Sequence, residues 1–287
     1  MEESILTVLA DGAASFSKGQ RKIAQYITAN YEKAAFMTAS RLGEMVGVSE
    51  STVVRFATEL GYDGYPEMRR ALQEMIKNSL TSVQRMEVSR DLIESKDILS
   101  AVLSADIEKI RRTLEEVDKE SFGAAVDALV SADHIYVLGL RSSSALAVFL
   151  GFYLNLMFPN VKVVSDSVSG ELFEHMLRVH KGDVFVGISF PRYSRRTIKA
   201  MEYARNQGAN VICITDAETS LVAKQAMIRL YAKSSMVSFV DSLVAPLSLI
   251  NALLVAAAGR AKGDIAKNFE KLEGIWSEYG VYEKNEL

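Results

Sequence analysis

The feature that most constrains the fold is a change in the spacing of apolar residues near residue 130. Up to about residue 128 they recur every three or four positions, as at Ile23, Ala24 and Ile27, which predicts helices. From residue 134, short apolar runs at 134–140, 161–165, 183–189 and 210–215 alternate with helix-length amphipathic segments. Such strands, apolar on both faces and separated by helices, are typical of a parallel sheet covered on both sides. The sequence therefore predicts an all-α region followed by an α/β domain.

The 287 residues are enough for two domains. We predict a helix-turn-helix domain over residues 1–78 and an α/β domain over residues 128–287. Residues 79–127 between them are polar with a helical pattern, and we interpret them as a helical connector that also packs on the second domain.

Charge and cysteine content exclude several classes of protein. The 33 Lys and Arg against 36 Asp and Glu leave a net charge of -3, so any nucleic-acid affinity must come from a local surface. Residues 15–77 provide one, with nine basic and seven acidic residues. The single cysteine, Cys213, rules out an intrachain disulfide and a Cys-based zinc cluster. With only three histidines, we expect no dedicated transition-metal site, and we expect no cofactor. The acidic start lacks the positive charge of a secretory signal, which predicts a cytoplasmic protein.

Two uncharged runs, residues 142–161 and 242–259, approach the length of a membrane span. Each is interrupted by proline and asparagine, so we expect buried helices and no membrane contact. The apolar surface of 242–259 exceeds what one face of a sheet needs. This favours a homodimer or homotetramer, although simple burial in the core is the alternative.

A helix-turn-helix is predicted between residues 38 and 60. A helix over Thr38 to Val46 ends at Gly47, which suits a left-handed turn, and Ser49 can cap the next helix. A capping box, Ser17 with Gln20, predicts the start of an earlier helix. The third helix has a predicted buried stripe of Val53, Phe56, Ala57 and Leu60.

The other face of this third helix offers Ser51, Thr52 and Arg55 near its N-terminus. Hydroxyls and a helix N-terminus suit phosphate oxygens, and arginine can bond guanine O6 and N7 together. The pattern fits a DNA-reading helix, and equally the solvated face of a small helical bundle.

Serine-rich loops follow two of the predicted strands, at 139–144 and 189–194. In the first loop, residues 142–144 are three successive serines whose amides we expect to be free at a helix N-terminus. Such hydroxyls and amides form an anion site, and an arginine can hold a phosphate with two hydrogen bonds. Each loop alone is also consistent with ordinary helix capping. Neither loop contains a glycine-rich nucleotide-binding motif, which disfavours binding of NAD or a nucleoside triphosphate. The candidate ligand residues here are Arg141, Ser142, Ser143, Ser144, Ser189, Arg192, Tyr193 and Ser194.

A sugar-phosphate isomerase would need a base near neutral pH. Glu171, Glu174 and His175 are predicted on a helix after the second strand, where residues 171 and 175 share one face. This pair is either a catalytic or ligand-binding pair or an ordinary surface pair. We find no nucleophile with a matching base, so we predict no catalytic residues and binding without turnover.

The segment VSESTVVRF followed by LGYDGYPEMR, within residues 35–72, resembles the helix-turn-helix of the RpiR family of bacterial transcriptional regulators. The resemblance implies that the protein binds double-stranded operator DNA. The residues it places at the DNA are Arg41, Ser49, Ser51, Thr52, Arg55, Arg69 and Arg70.

The second half resembles the sugar isomerase, or SIS, domain, which implies a flavodoxin-like parallel sheet and a phosphosugar ligand. In ISFPRYS, residues 188–194, Ile188 and Ser189 match the phosphosugar signature of that fold, while Pro191 and Arg192 replace the usual Ser and Gly. Together the resemblances imply a regulator, expected to be a repressor, of sugar-metabolism genes, controlled by a sugar phosphate. The alternative is a sugar-phosphate isomerase with an accessory helical domain.

Overall fold

The computed structural model describes residues 5–11, 15–76, 81–88, 97–164, 172–235, 240–261 and 265–282. The chain forms two compact units, residues 1–94 and 95–287. The division between them falls inside the segment that the sequence predicts to be a connector, since the later part of that segment is built into the second unit.

The first unit is helical. Its second helix begins with the predicted capping box, in which the Ser17 hydroxyl accepts from the Gln20 amide and the Gln20 side chain accepts from the Ser17 amide. The described helices are α1 (Ile5–Asp11), α2 (Lys18–Ala29), α3 (Tyr31–Ala34), α4 (Ala39–Val46), α5 (Glu50–Glu59), α6 (Tyr65–Ile76) and α7 (Ser82–Val88).

Helices α4 and α5 form the helix-turn-helix. Gly47 ends α4 with a φ of 70°, the left-handed conformation that glycine adopts without strain, and Ser49 caps α5. The two helices approach closely at Gly43, where an added Cβ would lie 2.8 Å from the Val48 carbonyl oxygen. Of the predicted stripe, Val53, Phe56 and Ala57 are buried, whereas Leu60 is only half-buried because the helix has already ended at Glu59.

The second unit contains a five-stranded parallel sheet with the strand order β2-β1-β3-β4-β5. This is the flavodoxin-like order, so the predicted fold class is confirmed. Four of the strands were predicted, and β5, at the edge, was not. The strands are β1 (Ile135–Gly139), β2 (Val161–Val163), β3 (Val184–Ile188), β4 (Asn210–Thr215) and β5 (Ile228–Tyr231).

Helices cover both faces of this sheet, and each face has its own apolar core. Ile135 and Val137 of β1 face one core, and Tyr136 and Leu138 face the other, as alternation along a strand requires. Burial in the second core raises the pKa of the Cys213 thiol to about 12. The described helices are α8 (Ile98–Glu116), α9 (Lys119–Ser131), α10 (Ser144–Met157), α11 (Arg195–Asn206), α12 (Val244–Arg260) and α13 (Ile265–Tyr279).

Within the described ranges, no single helix is long and apolar enough to cross a bilayer. Helices α12 and α13 reach that length and composition only when taken together, and they are bent sharply at the break between them. Much of α12 is buried against α8, α9 and α10.

Candidate functional site

The N-terminal end of α5 carries a cluster of hydroxyl groups. The Ser49 hydroxyl accepts from the Thr52 amide and lies 2.9 Å from the Ser51 hydroxyl and 2.8 Å from the Thr52 hydroxyl. Ser49 and Ser51 are exposed and Thr52 is half-buried. The cluster therefore presents polar groups at the positive end of the helix, a suitable place for a phosphate oxygen.

Arg55 lies one turn further along the same exposed face. Its Nε donates to the Ser51 carbonyl at 3.3 Å, which directs the side chain along α5 towards the hydroxyl cluster. The remaining predicted DNA residues lie on α4 and α6, which pack against α5. Arg41 of α4 is held in an exposed ion pair with Glu44 at 2.9 Å, Arg70 of α6 is exposed, and Arg69 is half-buried.

A cavity beside α5 includes residues that the sequence reasoning did not assign to a site. Its lining joins Thr52 and Arg55 of α5 to Ser15, Ser17 and Gln20 at the start of α2. The Gln20 side chain also donates to the Glu59 carboxylate, so it ties α2 to α5. The capping box predicted the position of Gln20 in a helix, but only the packing of α2 on α5 places it near Arg55.

The two predicted ligand loops begin at neighbouring strand ends, because Gly139 of β1 pairs with Ile188 of β3. The carboxyl ends of parallel strands are the usual ligand-binding edge of such a sheet. Gly139 is required by the tight turn that follows it, since an added Cβ would lie 2.3 Å from the Ser143 carbonyl oxygen. The structure thus brings 139–144 and 189–194 to one edge.

The serine hydroxyls at this edge have local partners. Ser144 donates to the Arg141 carbonyl at 2.6 Å, Ser189 accepts from the Ser194 amide at 3.2 Å, and Ser194 caps α11 at the Thr197 amide. The sequence reasoning expected three free serine amides at residues 142–144, and this is wrong for two of them. Residues 141–143 form a 3-10 turn in which the amides of Ser143 and Ser144 donate to the carbonyls of residues 140 and 141.

Both loops contain an arginine in the left-handed backbone region. Arg141 has a φ of 57° and Arg192 a φ of 70°, and they are the non-glycine residues with positive φ in the described part of the chain. An unfavourable backbone of this kind costs about 1 to 3 kcal/mol and is concentrated at ligand sites. The two strained residues lie at the same edge of the sheet as the serine loops.

A third loop, after β4, joins this edge, and the sequence reasoning missed it. The Tyr193 hydroxyl donates to the Asp216 carboxylate at 2.8 Å, and the Thr215 hydroxyl lies 3.3 Å from both Asp216 Oδ1 and the Ser220 hydroxyl. The signal was present, because these residues directly follow the predicted strand 210–215.

The segment before α12 connects the same edge to α8. The Ser142 hydroxyl donates to Asp241 Oδ2 at 3.5 Å, and the neighbouring Ser242 hydroxyl donates to Asp106 Oδ1 of α8 at 2.7 Å. Lys109 donates to the same Asp106 oxygen at 3.0 Å, and its side chain is only 6% exposed. Polar contacts joined through the 241–242 peptide therefore link the first serine loop to α8.

His175 is not at this edge. The described part of the segment after β2 forms a 3-10 turn, Glu174–Met176, and not the predicted helix. The His175 carbonyl accepts from Lys162 of β2, and the residue lines a cavity with His134 and Asn160, which precede β1 and β2. These positions lie at the amino ends of the strands. Glu171 lies outside the described residues.

Two family models match the chain. A helix-turn-helix domain of the rpiR family matches residues 4–79, and the SIS domain matches residues 128–256. Their order along the chain is the one that the two sequence resemblances imply.

Three known proteins are similar to this chain. An uncharacterized HTH-type transcriptional regulator of Caldanaerobacter subterraneus is 25% identical over 95% of this chain and 97% of its own length. The sugar isomerase domain of an RpiR transcription factor from Sphaerobacter thermophilus is 30% identical, with a TM-score of 0.59, over 62% of this chain and 99% of that one. The NanR protein of Vibrio vulnificus, solved with ManNAc-6P, shares the fold over 96% of this chain and 98% of its own, with a TM-score of 0.57 and 21% identity. The chain therefore belongs to the RpiR family of transcriptional regulators, with a helix-turn-helix domain followed by an SIS domain.

Proposed function

We propose that this regulator is a cytoplasmic repressor of sugar-metabolism genes and that a phosphorylated sugar sets its affinity for operator DNA. The observation that carries the proposal is the presence, in one chain, of an exposed hydroxyl and arginine cluster on α5 and a hydroxyl-rich strand edge in an SIS domain. In this direction of control the bound regulator would block access to the promoter.

On the DNA side, α5 is the proposed recognition helix. Its hydroxyl cluster and first amides would hold a backbone phosphate and so fix the register of the helix in the major groove. Arg55, one turn later, would then reach the edge of a base. Arg41, Arg69 and Arg70 would contact phosphates on either side.

Replacing Arg55 with alanine is expected to weaken specific operator binding by about 1 to 3 kcal/mol, or roughly five- to 150-fold in Kd. Arg55→Lys should lose most of the same specificity, since lysine keeps the charge but not the paired hydrogen bonds to guanine. Gel-shift titration at fixed salt measures both. Lys33→Ala, which removes an exposed charge from α3, is the matched control and should change binding little. Equal affinity of Arg55→Ala and the parent for the operator would remove Arg55 from the interface.

On the ligand side, the phosphoryl group would bind between the loops 139–144 and 189–194. Serine hydroxyls and the guanidinium groups of Arg141 and Arg192 supply donors for its oxygens. The carboxylates of Asp216 and Asp241 at the same edge can accept hydrogen bonds from sugar hydroxyls. This division of donors and acceptors is the chemistry that a phosphorylated sugar requires.

The response to the ligand would pass through Asp241. A phosphate at Ser142 carries negative charge and would repel this carboxylate, which in the present structure accepts from the Ser142 hydroxyl. Movement of Asp241 would shift Ser242 and, through Asp106, helix α8. Since α8 is the first described helix after the helix-turn-helix unit, its position can bias the paired recognition helices. Such coupling is typically worth about 1 to 3 kcal/mol.

The proposal includes a second copy of the chain. Five apolar side chains on α8 form one exposed stripe, because their spacing keeps them within a quarter-turn of the helix surface. A stripe of this kind on a helix is typical of a buried interface, and operators are commonly read by two-fold symmetric dimers. The stripe consists of Leu99, Leu103, Ile107, Ile110 and Leu114.

Ile107→Glu, in the middle of this stripe, is expected to convert the oligomer to a smaller species. The Ile107 side chain is 67% exposed in the single chain, so the substitution should leave the fold of the monomer intact and place a charge in the interface. Sedimentation velocity measures the change in mass. Ser104→Glu adds the same charge to an exposed position away from the stripe and should not alter the mass. If Ile107→Glu sediments like the parent, α8 does not form the interface.

Binding without turnover is also part of the proposal. Proton transfer between sugar carbons needs a base in reach of the substrate, and the histidine that the sequence offered, His175, lies at the amino ends of the strands. The measurement is steady-state conversion of phosphorylated hexoses, pentoses and amino sugars by the full chain. Steady turnover would favour the isomerase alternative.

A further inference from the structure

The cavity that His175 lines with His134 and Asn160 lies at the opposite edge of the sheet from the serine loops. Its volume is about 940 Å³, and it is lined by residues at the amino ends of β1 and β2 and by the segment 174–180. All three histidines of the chain, His134, His175 and His180, line it. Nothing in the proposed regulation by DNA and sugar phosphate uses this cavity.

Two of these histidines meet a buried carboxylate. His134 Nδ1 lies 3.0 Å from Asp183 Oδ1, and His180 Nδ1 lies 3.8 Å from the same oxygen. The two imidazole rings are edge-to-face, with their centres 5.7 Å apart. One possible ligand atom from each of the three residues can be chosen so that all lie within 4.8 Å of one another.

The carboxylate is fixed before any ion arrives. The Asp183 side chain is fully buried, and its Oδ2 accepts from the His180 amide at 2.9 Å. Its main chain is held between strands, since the Asp183 carbonyl accepts from the Asn210 amide. Oδ1 is therefore directed at the two imidazoles by the sheet itself, while the histidine side chains are about half exposed and open to the cavity.

Two imidazole nitrogens and one carboxylate oxygen match the donor set of a zinc-class transition metal. Tetrahedral zinc with bonds of about 2.1 Å places its ligand atoms about 3.4 Å apart. The observed separations of 3.0 and 3.8 Å bracket that distance. His180 Nδ1 also lies 2.8 Å from the Lys181 carbonyl oxygen, so the His180 ring would leave this contact when the nitrogen turns to the ion. The nearby Lys162 ammonium donates to the His175 carbonyl, and the Glu174 carboxylate lines the same cavity.

We propose that His134, His180 and Asp183 form a binding site for a divalent transition metal such as Zn²⁺. The ion would replace the proton that His134 and Asp183 now share, and water from the cavity would complete its coordination. The metal would tie the segment before β3 to the start of β1 and so brace the amino edge of the SIS sheet. Its role would be structural and independent of the sugar-phosphate site.

The test uses tag-free, full-length protein from which bound metal has been removed with EDTA and dialysis. Isothermal titration with ZnCl₂ should show one equivalent bound per chain with a Kd below about 10 µM. His134→Gln and His180→Gln should each weaken this Kd at least tenfold. His175→Gln changes a histidine of the same cavity that lies outside the cluster, and it should stay within twofold of the parent.

Thermal melting in EDTA shows whether each variant is folded. Zinc affinities are compared only among variants whose melting midpoint in EDTA equals that of the parent. His180→Gln is the safer of the two, because the His180 side chain is 55% exposed. Zinc should raise the midpoint of the parent by several degrees and leave that of His180→Gln unchanged. The site is refuted if the parent binds zinc with a Kd above about 10 µM. It is also refuted if His180→Gln keeps the parent's affinity, or if His175→Gln loses as much affinity as the cluster variants.

Discussion

The full-length double variant Ser142→Ala with Ser189→Ala is expected to keep its affinity for operator DNA and to lose its response to sugar phosphates. Both serines lie in the loops at the carboxyl ends of β1 and β3, which are adjacent in the sheet. A hydrogen bond to a charged group is worth about 1.5 to 3 kcal/mol, so losing two should weaken effector binding by about 3 to 6 kcal/mol. That is a loss of more than a hundredfold in Kd.

Isothermal titration with a panel of phosphorylated hexoses, pentoses and amino sugars measures the binding, and gel shifts with and without effector measure the response. Ser131→Ala is the control, because its exposed hydroxyl donates to the Asp127 carbonyl at the end of α9, away from the strand edge. Ser189 also accepts from the Ser194 amide, so thermal melting should confirm that the double variant is folded. A double variant that still binds effector with the parent's Kd would place the pocket elsewhere.

Much of the fold was predictable because its strands lie in the middle of a covered sheet. Strand β3 is apolar along its whole length and β4 is apolar over residues 211–214, since helices pack on both faces. A short apolar run of this kind between helices is a strong signal. Strand β5 lacked this signal. It is one of the two edge strands, and Arg229 interrupts its apolar pattern. Strand β2, at the other edge, is interrupted by Lys162, but its apolar run continues to the buried Val164, which made it recognisable.

The candidate site was predictable only as far as local sequence determines it. The loops that contain Ser142 and Ser189 follow buried strands directly, so their common edge could be predicted. Asp241 could not, because its contact with Ser142 spans 99 residues of chain and depends on how α12 packs. The i, i+4 spacing of Glu171 and His175 was misleading because it assumed a helix. Such spacing has meaning only on a helix, and the described part of that segment is a 3-10 turn.

Asp106→Ala is expected to have the largest effect on stability among the changes at the contact chain that links the serine loop to α8. The Lys109 side chain is 6% exposed and Asp106 is its ion-pair partner at 3.0 Å, so the substitution leaves a buried ammonium without its partner. Removing one member of a buried pair costs about 3 to 5 kcal/mol. Asp106 is 22% exposed, and water can replace part of the interaction, so we expect about 2 to 4 kcal/mol.

Urea unfolding measures this loss. Glu108→Ala is the matched control, because Glu108 pairs with Arg111 on the same helix but both side chains are at least half exposed. Exposed pairs of this kind contribute about 0 to 1 kcal/mol. A loss from Asp106→Ala no larger than that from Glu108→Ala would mean that the Asp106–Lys109 pair is effectively solvated.

Stability and signalling at Asp106 can be separated by a second variant. Replacing both partners, with Asp106→Leu and Lys109→Met, removes the unpaired charge, and such replacements are often neutral or stabilising. We expect this double variant to recover most of the stability and to bind both operator and effector. The acceptor for the Ser242 hydroxyl is still missing, so the ratio of operator Kd with and without effector should fall towards one. A double variant that regains the parent's stability and keeps the full ratio would show that the signal reaches α8 by another route.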